Sequence, residues 1–125
     1  MFSVKIRDHM MIAHSLPSEA FGPAQGMHGA TYVVDAVFRS PTLDENNIVI
    51  DIGIAHEILK DTLVPLNYQN LDALPQFKGV LTTTEFLAKH IHDQVLAMAK
   101  TRCDFTGSIE VILGESHVAW ASYAG

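Results

Sequence analysis

Hydrophobic and polar residues alternate along two segments near the start of the chain. Residues 3–14 and 27–39 both show the period of two that is typical of a strand with one buried face. The segment 15–26 between them contains two prolines and two glycines and predicts a loop. A short apolar run at 48–50 predicts a further strand. The first half of the chain is therefore expected to be mainly β-structure.

Two later segments have helical spacing instead. Asp51 is placed as the N-cap of a helix at about 52–63, because its side chain can accept a bond from a free backbone N–H of the first turn. Thr82, followed three positions later by Glu85, forms a capping box that opens the main helix. Apolar residues then recur at helical spacing as far as about Lys100.

The remaining segments complete the fold prediction. Residues 64–79 have mixed polarity and two prolines and predict an irregular connection, whereas 107–114 and 117–123 alternate like strands. The order β-β-(β)-α-α-β-β indicates an α+β fold, with an antiparallel sheet and two helices on one of its faces. The length of 125 residues suits one domain spanning 1–125.

Composition and charge exclude several classes of protein. Hydrophobic residues make up 48% of the chain and charged residues 18%, which is enough apolar material for a packed core. The mean hydropathy of +0.17 is high for a chain that must hydrate its whole surface, so self-association is expected. Eight Lys and Arg against 14 Asp and Glu give a net charge of −6, without a basic run. Nucleic acid is therefore not an expected partner.

The sequence also bears on location and redox chemistry. No stretch approaches the roughly 20 apolar residues of a membrane span, and the first residues lack the apolar stretch of a signal peptide. A cytoplasmic protein without a membrane partner is the resulting expectation. The single Cys103 cannot form a disulfide within the chain and is interpreted as a structural thiol.

Two histidines are the first candidates for chemistry. His14 ends the first strand on its apolar parity and His28 opens the second, so the two imidazoles converge if these strands pair. Converging imidazoles indicate a metal site, yet catalytic zinc uses three protein ligands and the next position on the same face is Ala30. The spacing alone favours two histidines that are simply hydrogen-bonded at strand ends.

Glu115 is the second candidate. It follows an apolar run at a strand break marked by Gly114, where a carboxylate can be half-buried and point at a ligand. The spacing alone favours an ordinary surface glutamate. The other histidines are interpreted as solvated or packed side chains, and they are His9, His56, His90, His92 and His117.

Taken together, six short motifs resemble the 6-pyruvoyltetrahydropterin synthase family, which includes the 6-carboxytetrahydropterin synthases. No single motif is specific, but their joint order and spacing are, and they span nearly the whole chain. In chain order they are Ile12–Leu16, Met27–Tyr32, Ile50–Ile52, Leu66–Leu71, Thr82–Glu85 and Val111–Glu115.

The resemblance implies a fold, an assembly and a site. The family's T-fold is an antiparallel sheet backed by two helices, and protomers join their sheets into a barrel, commonly as a homohexamer with active sites between subunits. Carried over, His14 and His28 become zinc ligands. Glu115 becomes the anchor of a reduced pterin, and Thr83 and Thr84 become neighbours of that pterin.

Several positions depart from the family pattern. Ala30 stands in place of the third zinc-binding histidine, and Ala24 in place of the catalytic cysteine. Asn67 and Tyr68 replace the Asp-His pair that handles protons, and Gln25 stands where a variant subgroup has a glutamate. A general base must accept a proton near the operating pH, and neither a methyl group nor an amide does so.

Two hypotheses follow from these departures. In the first, the chain is a divergent, lyase-type enzyme that acts on a pterin or related heterocycle by a reaction other than the standard one, with Tyr68 or Glu19 as candidate catalytic residues. Glu19 is also the candidate for a replacement zinc ligand, since the loop 15–26 joins the two histidine-bearing strands. In the second, the chain is a catalytically silent pterin-binding or structural homologue.

Overall fold

A computed structural model describes all residues from 1 to 125 and shows an α+β fold with a five-stranded sheet. The sheet order is β3-β1-β2-β4-β5, antiparallel except for the short β1–β3 pair. The elements are β1 (Phe2–His14), β2 (His28–Ser40), α1 (Ile52–Leu63), β3 (Gln69–Asn70), α2 (Thr84–Cys103), β4 (Ser108–Ser116) and β5 (Ala119–Ala124).

The β1–β2 pair is the longest in the sheet, and its register follows the alternation in the sequence. The pairing runs without interruption from Phe2 opposite Ser40 to His14 opposite His28. Even-numbered residues of β1 such as Ile6 and Met10 are buried, because they point toward the helices. The fold class and the first two strands are thus as the sequence predicts.

The core lies between this face of the sheet and the two helices. The helix α1 begins after Asp51, whose carboxylate accepts a hydrogen bond from the backbone N–H of Ile54 at 2.9 Å, as expected for an N-cap. In the core, the rings of Phe38 and Phe105 meet edge to face with their centroids 5.5 Å apart. Burial of each large apolar side chain contributes roughly 1.5–3 kcal/mol, so this layer is the main source of stability.

The predicted strand at 48–50 is wrong. Asp44 forms a turn that leads into this segment, because its carboxylate accepts bonds from the backbone N–H groups of Asn46 and Ile48. Asn47 has a left-handed φ of 60°, which an extended strand does not allow. The third strand is instead β3, which lies in the segment predicted to be irregular and pairs in parallel with Ile12 and Ala13 of β1.

Two further local predictions need correction. The loop 15–26 contains a 3-10 helix over Glu19–Gln25, with Ser18 as its N-cap. The predicted capping box at α2 is wrong: Thr83, not Thr82, is the N-cap, and its hydroxyl accepts the N–H of Phe86 at 3.1 Å. Thr82 is buried and its hydroxyl contacts a histidine instead.

Neither α1 nor α2 combines the length and the apolar character that crossing a bilayer requires.

Gly107 is a position where the fold tolerates no side chain. A Cβ atom there would overlap the backbone carbonyl oxygen of Arg39 and come within 2.7 Å of the ring of Phe105. We expect Gly107→Ala to lower the free energy of unfolding by about 1–3 kcal/mol, since backbone cannot move aside as a flexible side chain can. Urea denaturation measures this change. Gly26→Ala, whose Cβ would meet its nearest atom at 3.8 Å, is the control, and an equal loss in both variants would contradict the prediction.

Candidate functional site

A cavity of about 650 Å³ opens where the end of β1, the start of β2, the N-terminus of α2 and the end of β4 meet. These four elements converge because the β1–β2 register brings the strand ends together and α2 packs against β4. The cavity wall combines imidazole, hydroxyl and carboxylate groups with small apolar side chains. Among its lining residues are His14, His28, Ala30, Tyr32, Thr84 and Glu115.

His14 and His28 face each other across the cavity wall. They are directly paired in the β1–β2 register, and their ring centroids lie 4.6 Å apart at an interplanar angle of 64°. The sequence prediction that the two imidazoles converge is thus confirmed by the geometry. Metal binding by these two histidines remains a prediction.

One nitrogen of each imidazole already has a partner. The Nδ1 atom of His28 donates to the backbone carbonyl of Gly26 at 3.0 Å, which leaves its Nε2 atom as an acceptor. The Nδ1 atom of His14 lies 2.9 Å from the hydroxyl of Thr82. Both rings are therefore held in orientation through Nδ1, and Nε2 is the nitrogen left for a ligand or a proton.

The environment of His14 favours its neutral form. Its side chain is 2% exposed, and burial, followed by the nearby His28, lowers the pKa of His14 below the ordinary value for histidine. Asp72 opposes this effect only in part. The Asp72 carboxylate also holds the residue after His14, accepting bonds from the N–H of Ser15 at 3.0 Å and from its hydroxyl at 2.5 Å.

The donor set does not by itself fit a catalytic zinc ion. Such sites use three protein ligands, and the chain contains no group of three His, Cys, Asp or Glu side chains arranged to hold a metal. The position on the strand face next to His28 is Ala30, which lines the same cavity but carries only a methyl group. The two histidines thus offer two nitrogens and no third protein donor from this chain.

Glu115 lies near the end of β4, lines the same cavity and is fixed by α2. Its Oε2 atom accepts a hydrogen bond of 2.8 Å from the hydroxyl of Thr84, the first residue of the helix. A carboxylate has about four lone-pair positions, so this bond leaves most of its accepting capacity free. The positive end of the α2 dipole also favours a negative charge here. Thr83 lines the cavity too, but its hydroxyl is engaged in capping the helix.

Two predicted candidates lie away from the cavity of their own chain. Glu19 is exposed on the 3-10 helix and does not line the cavity. Tyr68 is 78% exposed beside β3, with a left-handed φ of 61° and its N–H bonded to the carbonyl of Met11. Asn67 has a structural task there, since its side-chain oxygen accepts the N–H of Met11 at 3.0 Å. The roles of Glu19 and Tyr68 stay predictions.

Several residues that line the cavity are not predicted as site residues from the sequence. Tyr32 is fully buried in the cavity wall, and burial raises the pKa of its phenol. Tyr32 lies on the same face of β2 as His28, and this shared face is the feature of the sequence that indicates its place in the cavity wall. Thr82 and Glu85 were interpreted only as helix caps, although Thr82 orients His14 and Glu85 lines the cavity. Ala24 also lines the cavity, so a position where the resembled family has a catalytic cysteine faces this space.

Comparison with solved structures supports the fold. The structure superposes on Caenorhabditis elegans 6-pyruvoyl tetrahydropterin synthase with a TM-score of 0.86 at 20% identity, covering 99% of this chain and 95% of the other. The Plasmodium falciparum 6-pyruvoyl tetrahydropterin synthase gives a TM-score of 0.77 at 16% identity, covering 98% of each chain. These likenesses establish the T-fold.

Comparison of sequences establishes the family. The chain is 26% identical over 121 residues to a Bacillus subtilis 6-carboxy-5,6,7,8-tetrahydropterin synthase, covering 92% of this chain and 80% of that protein. It is 28% identical over 99 residues to a Dictyostelium discoideum 6-pyruvoyl tetrahydrobiopterin synthase, covering 78% and 71%. The family model described as 6-pyruvoyl tetrahydropterin synthase matches residues 3–125. The chain therefore belongs to the 6-pyruvoyl tetrahydropterin synthase family.

Proposed function

We propose that the chain binds a pterin or a related planar nitrogen heterocycle in the cavity between the histidine pair and Glu115, and acts on it by a reaction other than the standard synthase reaction. The observation that carries the proposal is the Glu115 carboxylate, which Thr84 holds at the cavity while most of its accepting capacity stays free. The family relationship supports the class of ligand.

Glu115 suits the recognition of a pterin ring. The edge of such a ring presents adjacent N–H groups, and a carboxylate that accepts two of them in parallel fixes both position and orientation. The bond from Thr84 restricts the carboxylate before the ligand arrives, so less side-chain entropy is lost on binding. The cavity volume of about 650 Å³ lies within the range usual for small-molecule sites.

The change of reaction is inferred from the two alanines on the cavity wall. Ala24 and Ala30 line the space where family members carry a cysteine and the third zinc-binding histidine. An alanine can neither accept a proton nor bind a metal, so the standard set of groups is not supplied. Within the cavity, the Nε2 atoms of His14 and His28 are candidates for exchanging a proton with a bound ligand, because only the Nδ1 atoms are engaged.

Assembly would bring further groups to the site. Both edges of the sheet, β3 beside β1 and β5 beside β4, have unpaired backbone groups that invite pairing with another protomer. Because Tyr68 is exposed at the β3 edge, a neighbouring protomer is the route by which it would reach a cavity. We propose that the protomers assemble into a ring, which by analogy with the family is a homohexamer. Tyr68 and Glu19 remain candidate catalytic residues within this assembly.

The alternative function is that of a catalytically inactive protein, which binds a pterin without reaction or has a structural role. The same two alanines favour it, because a cavity that keeps its ligand anchor but not its proton-handling groups can bind without reacting. Turnover of a bound pterin by the purified protein separates the two functions.

The anchoring role of Glu115 can be tested by substitution. We expect Glu115→Ala to weaken binding of a reduced pterin by about 1.5–3 kcal/mol, the usual range for hydrogen bonds to a charged group, and to leave the fold intact. Fluorescence titration measures the affinity. Glu57→Ala, an exposed glutamate on α1 outside the cavity, is the matched control. Equal affinity of the Glu115 variant and the native protein would refute the anchor.

The standard synthase reaction should be absent or very slow. Loss of one general acid or base typically costs roughly 10²–10⁴-fold in rate, and several such groups differ here, although their effects do not simply multiply. Incubation with dihydroneopterin triphosphate should leave the compound intact while a standard synthase consumes it. Rapid release of inorganic triphosphate would show that another group performs the catalysis.

Zinc should be weakly held or missing in the native protein, because two histidines are one ligand short of a catalytic site. We expect elemental analysis to give well under one zinc per chain, and Ala30→His to raise the content to about one. His28→Ala combined with Ala30→His should abolish the gain. One tight zinc in the native protein would mean that a third ligand is present, and its loss in Glu19→Ala would identify that ligand.

The proposed ring predicts a mass well above that of one chain. Light scattering at micromolar concentration should give a single species of several protomers. A monodisperse monomer would remove the intersubunit site and, with it, the roles assigned to Tyr68 and Glu19.

A further inference from the structure

The cavity that contains His14, His28 and Glu115 has a polar region and an apolar region. The polar region lies around Glu115 and the first turn of α2. The apolar region, here called the apolar wall, consists of four side chains from the loop 15–26 and from β2, which are Leu16, Phe21, Ala24 and Ala30. The proposed function assigns the heterocyclic ring to the polar region and assigns no part of the ligand to the apolar wall.

The strand β2 runs between the two regions. Tyr32, Ala30 and His28 lie on one face of β2 and line the cavity, and at about 3.3 Å per residue roughly 13 Å of strand separates Tyr32 from His28. The β2–β4 pairing reaches the cavity at Val33, whose partner directly precedes Glu115, so Glu115 lies near the Tyr32 end. The loop that precedes β2 lies at the His28 end. A ring anchored at Glu115 therefore extends along this face toward Ala30 and the loop.

The loop 15–26 presents apolar side chains to the cavity. Phe21 and Ala24 are half-buried and line it, whereas the polar residues of the same 3-10 helix are exposed and do not. The backbone N–H of Leu16 donates to the carbonyl of Ala24 at 3.1 Å and so holds the loop in this position. These side chains come from a single protomer, so the apolar wall does not depend on assembly.

From this arrangement we infer that the cavity binds a pterin-type ring whose side chain is apolar, an alkyl or aryl group rather than a polyhydroxylated chain. The inference rests on the proposed function, because the ring has to be anchored at Glu115. The substituent on the far end of such a ring then meets the apolar wall, where each methylene removed from water favours binding. A hydroxyl placed against Phe21, Ala24 or Ala30 loses its water and gains no hydrogen-bond partner from these side chains.

The test compares pterin, 6-propylpterin and neopterin on the full chain by fluorescence titration. The propyl group and the trihydroxypropyl group of neopterin share one carbon skeleton, so the comparison isolates the hydroxyls. We expect 6-propylpterin to bind at least about tenfold more tightly than either of the other two, since it buries three additional carbons.

Three outcomes of this titration contradict the inference. Equal affinity of pterin and 6-propylpterin overturns it and leaves the proposed function standing. Neopterin that binds as tightly as 6-propylpterin also overturns it, because the hydroxyls would then have partners such as the Nε2 atoms of His14 and His28. If none of the three compounds binds, the proposed function fails and this inference fails with it.

Two substitutions test whether the preference arises at the apolar wall. Phe21→Ala should lower the affinity for 6-propylpterin about three- to tenfold and leave that for pterin unchanged, because it removes apolar contact area from the substituent alone. Phe2→Ala is the matched control, since Phe2 is exposed at the start of β1 and does not line the cavity. An unchanged preference for 6-propylpterin in Phe21→Ala, or an equal loss for both compounds, would overturn the role of this wall.

A second pair of variants changes the wall without removing a large side chain. Ala24→Ser places a hydroxyl in the wall and should reduce the preference for 6-propylpterin over pterin. Ala20→Ser makes the same change at an exposed position of the same 3-10 helix that does not line the cavity, and it should leave the preference unchanged. Glu115→Ala should weaken both compounds by the same factor, because the anchor and the wall act on different parts of the ligand. Equal effects of the two serine substitutions would contradict a local effect of the wall.

Discussion

The pairing of β1 with β2 is the constraint on which the rest of the structure depends. Because side chains alternate between the two faces of a strand, the register that sends Ile6 and Met10 into the core also sends His14 to the helix side. His28, its direct partner, follows to the same side. A shift by one residue would reverse every one of these directions. The energy of the apolar core therefore holds the two imidazoles together.

Three consecutive threonines at the start of α2 have different roles. Thr82 is buried and orients His14, Thr83 caps the helix, and Thr84 donates to Glu115. The differences arise because a backbone that turns into a helix points each successive side chain in a new direction. This single turn links the histidine side of the cavity to its carboxylate side. A change in the position of the cap would disturb both.

The cavity combines a carboxylate and two paired imidazoles with parts of the wall that carry only methyl groups. The cavity, its carboxylate and its paired imidazoles are consistent with membership of a pterin synthase family, whereas Ala24 and Ala30 leave parts of the wall without chemistry. Binding of the proposed ligand needs shape and hydrogen-bond partners, whereas catalysis also needs groups that move protons. The proposed function therefore separates binding from reaction in this cavity.

The sequence alone determined the two long strands, both helices, and the convergence of His14 with His28, because these features follow from periodicity, capping and strand pairing. It did not determine that 69–70, rather than 48–50, supplies the third strand, since the pairing of 69–70 with β1 depends on contacts between distant segments. The hydroxyl of Thr82 became a partner of His14 only through packing, because 68 positions of chain separate the two residues. The local sequence pattern determines the secondary-structure elements, whereas the cavity wall is formed by contacts between residues that lie far apart in the sequence.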